Sequence, residues 1–109
     1  MTLLGGIAGS VTGSLQILPV NLGEKIIHDL ASIAVSHYAK LQGVEVSLEG
    51  VIDATVQDGP NGKTYRLKLK LKVKVGTAYI CKIVLFQFHV PYFCLPTEAS
   101  VEYLEDVGI

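Results

Sequence analysis

The sequence contains no tryptophan, one methionine and two cysteines, and only 7% of its residues are aromatic. Two cysteines cannot form the framework of a disulfide-dense scaffold, although a single bridge between them stays open. No apolar run reaches the roughly 18 residues that a membrane-spanning helix requires. The N-terminus also lacks the basic segment that opens a secretory signal. We therefore expect a chain that is stabilised by an ordinary hydrophobic core.

The charge balance is nearly even, with nine Lys and Arg against ten Asp and Glu and a formal net charge of −1. Such a molecule has no net field that would draw it to DNA or to an anionic membrane, so we expect neither nucleic acid nor a membrane as a partner. Half of the residues are hydrophobic, which excludes an intrinsically disordered chain. The length of 109 residues predicts a single domain over 1–109.

The residue spacings that mark catalytic and metal sites are missing from this sequence. There is no Cys-x-x-Cys, His-Glu-x-x-His, G-x-S-x-G or phosphate-binding loop. His28 and His37 lie nine positions apart, too far to share a metal at the usual four-residue spacing. We interpret both as packed or surface imidazoles, whereas His89 could instead lie at a contact surface. The sequence thus predicts no enzyme, no cofactor and no metal.

The N-terminal part of the sequence, up to residue 41, predicts a trunk followed by a helix. Residues 1–20 are rich in glycine and predict an irregular, flexible N-terminal trunk. Asn21 followed by Glu24 is a helix-start signal, since the Asn side chain can accept from free backbone N–H groups. Apolar residues then recur three and four positions apart, and Gly43 is placed to end the helix. We predict a helix over 22–41.

After Gly43 the apolar period changes to two, which is typical of strands. The segments 44–57 and 65–75 alternate apolar with polar residues, 78–90 is largely apolar on both faces, and 99–104 predicts a short edge strand. A sheet with one solvated face is typical of antiparallel pairing. We therefore predict an α+β fold in which one long helix packs across a four- to five-stranded antiparallel sheet over 44–104.

The turn between the first two long strands has a charge pattern that indicates a register. We expect Asp58 to oppose Lys63 across a four-residue tip, and Gly50 to mark a bulge or bend. The same register pairs Asp53 with Lys68, Thr55 with Arg66 and Glu49 with Lys72. Each exposed pair contributes only about 0.2–1 kcal/mol, so burial of the apolar face decides the register.

Seven of the nine Lys and Arg residues lie between Lys63 and Lys82. A basic patch of this kind can bind nucleic acid or a sulfated glycan. The simpler interpretation is a solvated sheet face whose lysines also prevent edge pairing. No aromatic residues alternate with the outward lysines, which disfavours nucleic acid.

The order of these features, together with four short motifs, resembles the cystatin family of papain-like cysteine protease inhibitors. LLGG at 3–6 is similar to the family's N-terminal trunk, and DLASIAVSHYAK at 29–40 is similar to the helix of plant cystatins. VIDATVQ at 51–57 and KTYRLKLKL at 63–71 resemble the strands that flank the family's QxVxG hairpin. VPYF at 90–93 lies where the family has a Pro–Trp turn.

The resemblance implies a cystatin-like fold and reversible, competitive inhibition of papain-like, cathepsin-type cysteine proteases. In that family the trunk and two hairpin tips enter the protease cleft together and no bond is cleaved. Carried over by position, the protease-binding residues are Leu3, Leu4, Gly5, Gly6, Gln57, Asp58, Gly59, Pro60, Asn61, Gly62, Pro91, Tyr92 and Phe93.

The chain departs from the family pattern in both hairpin tips. The central valine of QxVxG is absent, the loop is one residue longer, and Tyr92 replaces tryptophan. Asp58 places a charge where the family is apolar, and burying it unpaired would be costly. Each of the three segments also has a purely structural alternative. The first tip could be a plain connecting turn, the aromatic pair at 92–93 could pack inward, and the N-terminal trunk could be a frayed terminus.

Other consequences of the resemblance concern the cysteines, the partners and the compartment. Cys81 matches a family cysteine position, but Cys94 does not match the position of the cysteine that pairs with it in the family, so we expect free thiols.

The resemblance also favours a monomer that can exchange strands to form a domain-swapped dimer. A secreted, vacuolar or extracellular location is favoured over the cytoplasm. The alternative function is a non-inhibitory cystatin-fold protein that recognises another protein or a sulfated glycan through its lysine-rich face.

Overall fold

The computed structural model describes residues 17–107, which fold into one α-helix, five β-strands and a short 3₁₀ helix. In chain order the elements are β1 (Ile17–Pro19), α1 (Lys25–Gln42), β2 (Val46–Asp58), β3 (Gly62–Val75), β4 (Ala78–Pro91), the 3₁₀ helix (Pro96–Glu98) and β5 (Ser100–Asp106). The strands form an antiparallel sheet in the order β1-β2-β3-β4-β5, and the 18-residue helix packs against it. The predicted α+β class is confirmed.

The start of the chain differs from the prediction in two ways. Ile17–Pro19 form β1 and pair with β2, so an irregular trunk over all of 1–20 is wrong for these three residues. The helix begins at Lys25, not at 22, because Asn21 closes a turn: its side chain accepts from Gly23 N at 2.9 Å. Short polar side chains compete for backbone donors in this way. Gly43 ends the helix as predicted, with φ of 65° and its N–H bonded to Ala39 O.

Two bulges in β2 explain why the predicted register holds at one end and fails at the other. Asp58 pairs with Lys63 and Asp53 with Lys68, as predicted, but Ser47 rather than Glu49 lies opposite Lys72. Register shifts at Leu48/Gly50 and Val51/Asp53 each add one residue to β2. The first bulge exchanges the face of the sheet to which each following side chain of β2 points, and the second bulge restores the original alternation. Consequently Ile52, which the alternation predicts to be inward, is 43% exposed.

The hydrophobic core lies between α1 and one face of β3 and β4. The helix contributes Ile27, Leu30, Ala31, Ala34 and Tyr38, and the two strands contribute Tyr65, Leu67, Leu69, Leu71, Val73, Val84, Phe86, Phe88 and Val90. Rings from α1 and β5 meet β4 here: Tyr38 and Tyr103 pack against Phe86 at centroid distances of 6.2 and 5.8 Å. Such aromatic pairs add about 0.5–1.5 kcal/mol each beyond their buried area.

The β3–β4 hairpin is longer than the helix that covers it. A 14-residue strand extends about 46 Å, whereas an 18-residue helix extends about 27 Å. The part of the hairpin around Gly76 therefore projects beyond the helix, and Val75, Tyr79 and Ile80 are exposed there. The predicted two-residue turn at Gly76 and Thr77 is confirmed, since Val75 pairs with Ala78.

The edge strand β5 is tied to the sheet by a small polar network. Tyr103 donates its hydroxyl to Asp106 Oδ1 at 2.6 Å, and Lys82 Nζ lies 3.4 Å from Asp106 Oδ2. The hydrogen bond to Asp106, followed by burial, raises the pKa of Tyr103 to about 12. The neutral phenol is therefore the form that the fold stabilises.

This network predicts a loss of stability in alkali. The folded pKa of Tyr103 lies above its ordinary value of 10.0. The contribution of the neutral Tyr103 phenol to the free energy of unfolding is therefore complete below pH 10 and is lost as the pH rises through about 12. Denaturant unfolding across this range should show a steeper fall in the free energy of unfolding for the wild type than for Tyr103→Phe. The exposed Tyr79→Phe variant is the control and should keep the wild-type slope. Equal slopes in all three proteins would contradict the assignment.

Candidate functional site

The connection between β2 and β3 forms a narrow tip. Asp58 and Lys63 are the last paired residues, as predicted, and the Gly59 N–H donates to Gly62 O at 2.9 Å within the tip. Pro60 and Asn61 form the apex and are exposed. The apex therefore consists of small, uncharged residues held by a backbone hydrogen bond.

The connection after β4 forms a second tip, in which Cys94 N donates to Pro91 O at 3.2 Å. This bond closes a four-residue turn whose third residue, Phe93, has φ of 65°. A positive φ at this position defines a type II turn, which favours glycine or asparagine. A bulky residue there costs about 1–2 kcal/mol of backbone strain. The Phe93 ring is also completely exposed, so no packing within the described residues offsets this strain.

The two tips are joined to each other by hydrogen bonds. The Tyr92 hydroxyl donates to Gly59 O at 2.9 Å, and the Tyr92 N–H donates to Asn61 O at 3.2 Å. Tyr92 thus spans from its own turn to the first tip, and the residue is 40% exposed. Residues 59–62 and 91–93, together with Ile17 of β1, lie at one end of the sheet, and we call this end the rim.

Gly62 permits this close approach of the two tips. It is buried, and a Cβ at this position would lie 2.4 Å from Val90 O and 2.7 Å from the Pro91 Cα. Both neighbours are backbone atoms, which cannot rotate away. The glycine is therefore required by the contact between the tips and not by its own φ.

Gln57 and Asp58 flank the rim without forming its apex. They are consecutive in β2, so their side chains project from opposite faces of the sheet. Asp58 lies on the same face as Tyr65, whose pKa is raised by burial and then by Glu24 and Asp58. Of the predicted tip residues, Asp58 is therefore directed toward the helix side and not along the strand axis.

The start of the described chain also lies at the rim. Ile17 pairs with Gln57, and both Ile17 and Leu18 are exposed, at 57% and 44%. These residues were missed as site candidates because the glycine-rich context concealed a short apolar strand. The predicted trunk residues Leu3, Leu4, Gly5 and Gly6 lie outside the described residues.

Within residues 17–107, neither the cysteines nor the His, Asp and Glu side chains form a metal or disulfide site. The two cysteines are free, with Cys81 exposed and Cys94 half-buried. No cluster of three or more His, Cys, Asp or Glu side chains in this range could hold a metal ion. None of the helices in this range has the length and apolarity needed to cross a membrane.

No protein-family model matches the chain, and neither the curated proteins nor the solved structures include a significant match.

The contact between the tips predicts different effects for two glycine substitutions. Gly62→Ala should lower the free energy of unfolding by about 1–3 kcal/mol, since its methyl group overlaps the β4 backbone. Gly50→Ala is the control, because a Cβ there has no neighbour within 4 Å. Denaturant unfolding measures the stability, and amide exchange at Tyr92 measures whether the tips separate. Equal stability and equal Tyr92 protection in both variants would contradict the proposed contact.

Proposed function

We propose that this protein is a cystatin-like, reversible and competitive inhibitor of papain-like cysteine proteases, which it blocks by inserting the rim into the substrate cleft. The observation that carries the proposal is the joining of the two predicted tips by Tyr92, through its hydroxyl to Gly59 O and its N–H to Asn61 O. The sequence resemblance assigns both tips to protease contact, and their apposition gives them one common surface.

The composition of the rim supports insertion into a cleft. Pro60, Asn61 and Phe93 are exposed and carry no formal charge. Moving uncharged groups out of water costs far less free energy than moving an unpaired charge. Asp58 and Lys63, which pair at the base of the first tip, are the nearest exceptions, and the direction of both side chains toward the helix side keeps their charges off the apex. The charge predicted as a liability is therefore a smaller obstacle than the sequence suggests.

The rigidity of the rim supports tight binding without a covalent step. Binding costs free energy for each side chain or loop that must become ordered. Here the hydrogen bonds of Gly59 and Tyr92 already fix both tips relative to each other, and Pro60 restricts the apex. A preorganised pair of tips loses little further entropy on docking.

Phe93 is the strongest candidate for an anchor. It combines a strained backbone with a fully exposed ring, two features that lower stability. Residues that are strained without benefit to the fold cluster at functional sites. Exposed aromatic residues are also enriched among the side chains that dominate binding energy. We therefore assign the principal apolar contact with the protease to Phe93.

This assignment predicts opposite effects of one substitution on stability and on inhibition. Phe93→Asn should keep or raise the free energy of unfolding, because asparagine tolerates positive φ. The same change should raise the inhibition constant against papain by about 30-fold or more, the usual loss for a central aromatic contact. Steady-state inhibition assays and denaturant unfolding measure the two effects.

Leu41→Ala is the matched control, because Leu41 is also an exposed apolar residue but lies at the far end of α1. It should leave the inhibition constant unchanged. Full protease activity in saturating amounts of the wild-type protein would contradict the inhibitor proposal and favour a non-inhibitory binding protein. Inhibition that survives Phe93→Asn would contradict only the role of Phe93.

The trunk can be tested by deletion. If Leu3–Gly6 bind the cleft beside the rim, removing residues 2–6 should raise the inhibition constant about tenfold, as expected for the loss of one or two apolar contacts. Replacing residues 2–6 with five serines is the control for chain length and should cause a similar loss. An unchanged inhibition constant in both proteins would remove these residues from the site and leave Ile17 and Leu18 as its N-terminal part.

A further inference from the structure

The face of the sheet that is turned away from α1 carries a regular row of cations. Arg66, Lys68, Lys70, Lys72 and Lys74 alternate with the buried residues of β3 and therefore project from the opposite face. We call these five residues the lysine row. Alternate residues in a strand lie about 6.7 Å apart, so the row extends over about 27 Å.

Few groups of the protein neutralise the lysine row. Arg66 donates to Gln87 Oε1 at 2.9 Å, which leaves its charge uncompensated, and Lys72 lies 4.9 Å above the Tyr79 ring. Lys74 approaches Glu45 only at 4.0 Å, with both groups exposed. Within the described residues, Lys68 and Lys70 have no ion pair, although Asp53 lies opposite Lys68 in the sheet.

The acidic residues on the β5 side of this face lie away from the projecting hairpin. Glu102 lies opposite Gln87 and Glu105 opposite Leu85, so both flank the half of the sheet nearer the rim. The strand next to Lys70 and Lys72 carries Ile83 and Cys81 at the paired positions, which have no charge. On β2, Gly50 and Ser47 lie opposite Lys70 and Lys72, while Glu49 lies in the adjacent bulge and Glu45 lies near Lys74. The positions directly paired with Lys70 and Lys72 are thus uncharged on both neighbouring strands, so we expect the positive potential of the row to be strongest at these two residues, despite the net charge of −1.

We propose that the lysine row binds a linear sulfated glycan, with Lys70 and Lys72 at the centre of the contact. The evenly spaced ammonium groups on a flat, open face match a chain that carries an anionic group on each repeating unit. A nucleic acid fits this face less well, because single strands bind through stacked aromatic residues. The aromatic ring beside the row, that of Tyr79, already lies beneath the ammonium of Lys72.

The proposed glycan surface is separate from the rim. The lysine row lies on a face of the sheet, whereas the rim lies at the end where β2 joins β3 and β4 ends. Lys70 and Lys72 are eight and ten residues from Gly62, which corresponds to about 27 and 33 Å along the strand. A bound glycan and a bound protease would therefore occupy different surfaces, and loss of either activity can be measured without the other.

Binding of a size-defined, highly sulfated heparin oligosaccharide tests the proposal directly. The double variant Lys70→Gln/Lys72→Gln should bind roughly tenfold or more weakly at 50 mM salt, with a shallower dependence of affinity on salt. Lys25→Gln/Lys40→Gln is the matched control, because it removes the same net charge from α1. It should bind like the wild type. The free energy of unfolding of each variant shows that the fold is retained.

Several outcomes would overturn this proposal. Equal weakening by both double variants would indicate a general effect of net charge and not a site. Equal binding of the desulfated oligosaccharide, or the absence of binding by the wild type at low salt, would exclude a sulfate-dependent contact. A DNA oligonucleotide of matched charge that binds more tightly than the glycan would assign the lysine row to nucleic acid instead.

Discussion

The structure depends on burial of one apolar face of the β3–β4 hairpin beneath α1. Leu67, Leu69 and Leu71 on β3 and Phe86 and Phe88 on β4 are 0% exposed, and the helix covers them with residues that are equally buried. Each such side chain contributes about 1.5–3 kcal/mol when it is removed from water. A slip of one residue in either strand would expose the whole set, so this burial fixes the β3–β4 register.

The position of the rim follows from that register. Because Leu67 lies opposite Phe86, the pairing continues without interruption to Gly62 and Pro91, where both strands end together. Tyr92 then follows Pro91 directly beside the first tip, within hydrogen-bonding distance of Gly59 O. The apposition of Gly59 and Tyr92, which are 33 residues apart in sequence, is therefore a consequence of core packing. The bulges of β2 lie farther from this end and leave the paired residues Val56–Asp58 in their predicted register.

The predictable features are those determined by local chemistry or by alternation. Gly43, the two-residue turn after Val75 and the pairing of Asp58 with Lys63 follow from residue type and spacing. The bulge at Ile52 could not be predicted, because an apolar residue at an apparently inward position gives no sign of an insertion. The positive φ of Phe93 is equally hidden, since sequence rules assign that conformation to glycine or asparagine. Gly62 is conspicuous in sequence, but its close contact with Val90 O is visible only once β4 is placed beside it.

The two proposed surfaces differ in charge because their ligands have different physical requirements. A group that enters a protease cleft loses its water, so the rim is best built from uncharged residues, as at Pro60, Asn61 and Phe93. A polyanion is held at an open surface where cations stay hydrated, which suits the alternate positions of β3. The same strand begins at the rim with Gly62 and continues into the lysine row. One two-residue period, with leucines inward and lysines outward, thus builds the core that aligns the tips and also places the cations on the opposite face.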